Sequence, residues 1–181
     1  MSDNSISHHR FADCLWIRCE GRGCFVNSPV LKCLAENYLS EETNTIVVDL
    51  EMCSGVDSTF MGTLAGLARK SMALGGSIQI ASPSPRTRDA MEGLGLDMLV
   101  DIDPQGAAWQ NELEARRAEL NSDCECHRGT DPGPISELDR TRHVLEAHNT
   151  LRSMNHKNDE TFGYVCETLE EDLMRQTSEE E

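Results

Sequence analysis

The run "TIVVDLE" at residues 45–51 constrains the fold more than any other stretch of the chain. Its β-branched residues are stiff in a helix and pack well on a pleated surface, so the run reads as a buried strand. The next segment, "MCSGVDSTFMGTLAGLARKSMALGG", changes to helical spacing and stops at Gly75-Gly76, a good helix end. Strand-to-helix passages recur on either side. "DCLWIRCEGR" reads as a strand turning at Gly21–Gly23, and "CFVN" as a short strand. "SPVLKCLAENYLSEE" reads as a helix with Ser28 as N-cap and Pro29 at its first position. "SIQIAS" is a further strand, "SPSPRTRDAMEGLG" a short helix and "LDMLVDID" a closing strand. Alternation of this kind predicts an α/β fold: a small, mixed, mostly parallel sheet with helices packed on it.

Beyond Asp103 the character shifts. "PQGAAWQNELEARRAELNSD" is helical, with Trp109, Leu113 and Leu120 on one face, and completes a domain over residues 12–120. Residues 121–134 read as a linker rich in Gly, Pro and Asp. Residues 135–176 read as an acidic helical hairpin, a C-terminal helical extension. Phe162, Val165, Leu169 and Leu173 are expected to bury against the Leu138–Leu151 helix, because neither helix alone has enough apolar surface to be stable in water. Deleting this tail is expected to leave a folded domain. Residues 104–181 carry 18 acidic against 8 basic side chains, so most of the net charge of −16 sits there.

That charge disfavours nucleic acid, whose phosphates need cations. The polar start has no signal-like apolar region and no run is long enough to span a membrane, so the expectation is a cytoplasmic protein with no membrane partner. Cys14, Cys19, Cys33 and Cys53 lie in apolar runs and read as reduced, buried side chains. Cys124, Cys126 and His127 carry metal-capable groups, but without a second pair at tetrahedral-site spacing the reading is a linker, and no metal or cofactor is expected. His8 and His9 fall in a polar start. His143 and His148, five apart, do not share a helix face and read as surface or seam residues. No phosphate-cradling loop and no nucleophile elbow is present.

One feature asks for more than architecture. Asp57, Ser58 and Thr59 stand together at the tip of the second helix, where a single N-cap would do. Either Asp57 or Ser58 is a plain cap, or Ser58 is a phosphoryl acceptor at a helix N-terminus, where free N–H groups and the macrodipole tolerate an anion.

From the strand ending in Asp49-Leu50, through Asp57-Ser58-Thr59 and the Gly-Gly turn, to "GLGLDMLVDI", the chain resembles the STAS domain of anti-sigma-factor antagonists and sulphate-transporter tails, over about residues 12–103. The commoner family pattern is Asp-Ser-Ser-Gly; here it is Asp-Ser-Thr-Phe, with the glycine displaced to Gly62. The resemblance implies a binding module and no enzyme. When unphosphorylated, it docks on an anti-sigma factor that is itself a serine kinase. Phosphorylation at Ser58, with Thr59 as fallback acceptor, ends the docking, and a PP2C-type phosphatase reverses it. Asp57, Thr59, Phe60 and Met61 are the expected partner-binding residues, with Phe60 a candidate for partial exposure. The alternative is a STAS scaffold subunit of a signalling assembly or transport complex, with the C-terminal helices as the homo-oligomer contact.

Overall fold

The computed structural model describes residues 4–41, 45–122, 125–128 and 135–179. Its strands are β1 (Ser5–Arg10), β2 (Cys14–Gly23), β3 (Thr45–Asp49), β4 (Cys53–Val56), β5 (Ser77–Ala81), β6 (Asp101–Ile102) and β7 (Glu125–Arg128). The α-helices are α1 (Ser28–Glu41), α2 (Ser58–Ala73), α3 (Pro85–Gly93), α4 (Leu113–Ser122), α5 (Glu137–Arg152) and α6 (His156–Glu179). The sheet order is β6-β5-β3-β2-β1-β7, with β4 also paired to β2. Strands β2, β3, β5 and β6 are parallel neighbours, and β1 and β7 are antiparallel additions at one edge.

Strand pleat sorts the side chains into two cores. Leu15, Ile17, Ile46, Val48, Ile78 and Ile80 point to one face, where α1, α2 and α3 cover them. Trp16, Val47 and Ala81 point to the other, under Trp109 and Leu120. Trp16 and Trp109 meet edge to face at 5.4 Å, and Trp109 Nε1 donates to Gln79 Oε1 at 2.6 Å. On this second side Asp49, fully buried at the end of β3, accepts two hydrogen bonds of 2.9 Å from Arg117 of α4. The same guanidinium reaches Ser82 Oγ and Glu51. The surrounding carboxylates hold the Arg117 pKa above its ordinary value despite burial.

The hairpin α5–α6 does not stand apart. It lies on the outer side of α2, and Leu151, Phe162 and Cys166 join the main core. Within the hairpin Phe162 is buried, Leu169 and Leu173 are half-buried, and Val165, expected inside, is exposed, its place taken by Cys166.

Several local expectations change. Residues 24–27 form a turn, not a strand, because Asn27 Oδ1 accepts from the Cys24 amide and folds the segment back on itself. Strand β1, with His8 and His9 on it, occupies the polar start, where no local pattern marks a strand. Strand β7 lies inside the segment read as linker and pairs with β1. The closing strand "LDMLVDID" is mostly a 3₁₀ turn at Leu96–Met98 followed by the two residues of β6. Cys14, Cys19 and Cys53 are buried free thiols, whereas Cys33 is exposed on α1. Cys124 lies outside the described residues, as do the side chains of Cys126 and His127. No helix among the described residues is long and apolar enough to cross a membrane.

Removing Arg117 strands a fully buried carboxylate. The Arg117→Ala variant is expected to lose about 3–5 kcal/mol, the usual cost of breaking one side of a buried pair, measured as a lowered urea midpoint with unchanged slope.

Candidate functional site

The loop leaving β4 delivers Asp57 to the tip of α2 in an extended conformation. Its backbone N–H donates to the Gly23 carbonyl at 2.9 Å, which fixes it against the end of β2. Its carboxylate does two jobs. Oδ1 accepts from the Phe60 amide at 2.8 Å and caps α2; Oδ2 accepts from the Phe25 amide at 3.0 Å and ties the 24–27 turn to the helix tip. Asp57, not Ser58, is therefore the cap, and the Ser58 hydroxyl is released from structural duty in its own helix.

Ser58 is the first residue of α2 and half-buried. Its Oγ lies 2.9 Å from Nε2 of His148 on α5. Nδ1 of that imidazole lies 2.8 Å from the Val144 carbonyl, which can only accept, so Nδ1 carries a proton. In the neutral ring Nε2 is then an acceptor, and the Ser58 hydroxyl donates to it. The ring is buried and leans on Phe162, with centroids 5.4 Å apart.

A second histidine lies further along the same seam. His143 Nε2 is 2.9 Å from Ser28 Oγ at the start of α1 and 3.4 Å from Thr63 Oγ1 on α2. Burial, helped by nearby Lys32, holds its pKa below the ordinary imidazole value. Although five residues apart, both histidines reach α2, because they flank the line along which α5 crosses it. That line passes over Gly62: a β-carbon there would sit 2.2 Å from the Ala147 carbonyl oxygen. Beside it a small cleft of about 120 Å³ opens between α1, α2 and α5, rimmed by the Lys32–Glu146 and Lys70–Glu36 ion pairs.

The other residues singled out in the sequence are placed differently. Thr59 is buried, and Phe60 has no exposed surface, its ring packed where a side chain on Gly23 would otherwise go. Met61 is buried as well. In this conformation none of the three offers a face to a partner, because the third and fourth residues of α2 turn toward the sheet. The apolar surface beside Ser58 belongs instead to Phe25 and Val26, 42% and 44% exposed. A pattern reading does not find them, since "CFVN" reads as a short strand and only the structure makes it a turn. His148 carried no local signal at all, lying ninety residues from the serine it touches.

The STAS domain family matches residues 6–107. The chain belongs to the STAS domain family. Among solved structures, a candidate anti-sigma factor antagonist from Thermotoga maritima aligns at 18% identity over 61% of this chain and 93% of its own, with a TM-score of 0.50. The anti-sigma factor antagonist SpoIIAA in its unphosphorylated form aligns at 18% identity over 62% of this chain and 97% of its own, with a TM-score of 0.49. The Bacillus cell fate determinant SpoIIAA in its phosphorylated form aligns at 20% identity over 62% and 98%, with a TM-score of 0.47. At 18% identity the likeness to the Thermotoga maritima protein is one of fold. No curated protein matches the chain. The STAS match ends before α4, so the hairpin that touches Ser58 lies outside the part of the chain shared with the family.

Substitutions in the Asp57–Ser58 loop and in the seam have expected outcomes. Asp57→Ala removes both the cap and the tie to Phe25 and is expected to cost about 1–2 kcal/mol, while Ser58→Ala leaves one imidazole nitrogen unpaired and costs about 1 kcal/mol; paired urea titrations give both values. Because His143 takes up a proton less readily in the folded protein than in the unfolded chain, stability is full above the unfolded imidazole value of about 6.5 and declines as pH falls through and below it. A His143→Gln variant should flatten that decline, read as thermal midpoint against pH.

Proposed function

We propose that this STAS protein is a phosphorylation-switched binding module, an anti-sigma-factor antagonist whose acceptor is Ser58. The observation that carries the reading is the division of labour at the tip of α2. Asp57 does the capping, so the adjacent hydroxyl can be modified without dismantling the helix. The partner class is an anti-sigma factor with serine kinase activity, bound while Ser58 is unmodified. In the modifying step the Ser58 oxygen attacks the γ-phosphorus of ATP, the bond to the β-phosphate oxygen breaks, ADP leaves and the hydroxyl proton passes to a base. A PP2C-type phosphatase would return the serine by hydrolysis. Phe25 and Val26, tied to Asp57, supply the apolar part of the docking face, and Thr59 stays the fallback acceptor one residue deeper.

The energetic logic is a difference between fold and interface. A phosphate adds about −1.5 to −2 charges. At a helix N-terminus that charge is tolerated, since it meets backbone N–H groups and the positive end of the dipole. Inside a packed interface, next to Asp57, the same charge is opposed by desolvation and repulsion, at a cost of several kcal/mol.

A second reading, a STAS scaffold subunit of a signalling or transport assembly, draws on α6, which leaves Tyr164 and Met174 at 79% and 70% exposure. It requires no chemistry at Ser58.

The deciding experiment incubates the protein with an anti-sigma serine kinase and ATP and maps phosphate by mass spectrometry. The expected result is modification at Ser58, with Ser58→Ala binding the kinase but resisting modification. Ser58→Asp is expected to keep its circular dichroism and to bind at least tenfold more weakly, the minimum a charge clash of over 1.4 kcal/mol would produce. Phosphate on neither Ser58 nor Thr59, or equal binding of the two variants, overturns the switch and favours the scaffold.

A further inference from the structure

The outer face of α2 is shaped to receive a helix, and a helix of the same chain is in it. Gly62 and Gly66, one turn apart, leave the backbone bare. The Ala147 carbonyl occupies the space of a Gly62 side chain, and Thr150 stands 3.8 Å from where a β-carbon of Gly66 would be. The contact extends to the acceptor itself, because the Ser58 hydroxyl hydrogen-bonds to His148 on that helix. A kinase must bring a γ-phosphate in line with this oxygen, and α5 stands in the approach.

The way α5 is attached differs from the way the sheet is built. Of its 16 residues only Ala147, His148 and Leu151 are buried. Much of the remaining contact is polar and lies at the margin: Lys32 to Glu146 at 2.6 Å and Arg69 to Ser153 at 2.8 Å, both on the exposed rim. At its far end Leu151, with Phe162 and Cys166 of α6, anchors the hairpin in the main core, so the attachment combines an apolar end with a polar rim. The STAS match ends at residue 107, so the hairpin lies outside the part of the chain that the family model covers.

We infer that α5–α6 is a cover in cis: the hairpin and the docking partner compete for the outer face of α2, and Ser58 becomes available for modification only while α5 is lifted. This rests on the reading of Ser58 as the acceptor. The occupant is this chain's own hairpin. A partner of the same class would present a helix with a small residue at the crossing point, since nothing bulkier passes Gly62.

Two variants of the full chain open the cover by different means. Gly62→Ala drives a methyl group into the Ala147 carbonyl, and alanine is the better helix former, so α2 itself is not weakened. Lys32→Glu acts at the surface, turning the bridge to Glu146 into a repulsion. Near-UV circular dichroism of Trp16 and Trp109, on the opposite face of the sheet, reports that each variant is folded. Hydrogen exchange should show α5 and α6 opening without the sheet in the parent chain, and about tenfold faster in both variants, with β3 and β5 unchanged. The initial rate of Ser58 phosphorylation by the serine kinase and ATP should rise by about the same factor, because the modifiable fraction rises with opening. Exchange of α5 locked to that of β3, or faster opening with an unchanged phosphorylation rate, overturns the cover while leaving Ser58 an acceptor. Phosphate on Ser58 in none of the forms overturns the acceptor reading, and the cover with it.

Discussion

Helix α2 is enclosed on two sides, and the rest of the molecule is arranged around that. One side carries Phe60, Leu64, Leu67 and Ala68 into the main core, and the other carries Gly62, Thr63 and Gly66 under α5. Burying each large side chain on the sheet side is worth about 1.5–3 kcal/mol. On the outer side the gains come from close backbone approach, from hydrogen bonds worth about 1 kcal/mol each and from the burial of Leu151, Phe162 and Cys166. The two attachments therefore differ in their chemistry. The sheet side defines where α2 and Ser58 sit. The outer side decides what can reach them.

The same strand end serves both needs. Asp49 closes β3 and is held by Arg117 from the far side of the sheet, and the chain then turns through Leu50 to Cys53 into β4 and on to Asp57. The loop that carries Asp57 and Ser58 thus departs from the C-terminal end of the central parallel strand, where α/β folds commonly place their working groups. A buried ion pair at that point contributes position more than stability, since its desolvation offsets much of its attraction. Helix α4 is in this sense a brace for the loop on the opposite face.

How much of the fold is legible in the sequence depends on which interactions are local. "TIVVDLE", "SIQIAS" and the helix after Asp57 declare themselves, because β-branched runs and helical spacing are properties of short windows. Strands β1, β4 and β7 do not: their residues are polar or small, and pairing with β2 or with one another makes them strands. Phe60 is legible only as a candidate for either the core or partial exposure, and helix geometry turns its position toward the sheet. The Asp57-Ser58 pair is legible as a cap or an acceptor, and only the hydrogen bond to the Phe60 amide assigns the capping to Asp57. His148 is beyond reach, since no rule about spacing joins residues so far apart. A fainter signal lies in α2 itself: Gly62 and Gly66 in a helix otherwise rich in good formers cost stability unless something packs closely there. The glycine displaced from the usual STAS pattern is the residue over which α5 crosses.

That displacement has a thermodynamic consequence for any STAS partner. If the face of α2 is open only a fraction of the time, the apparent dissociation constant is the intrinsic one divided by that fraction. In the proposed docking, a partner's contacts with Phe25 and Val26 would stay outside this penalty, because both side chains are exposed while α5 is closed. A partner can therefore gain a first hold on the 24–27 turn and complete its contact with α2 as the hairpin lifts. Tightening the polar seam would raise the threshold for docking without altering one residue of the docking face, and loosening it would lower the threshold. The response of this chain can thus be tuned through residues of the seam such as Lys32, Glu146 and His143.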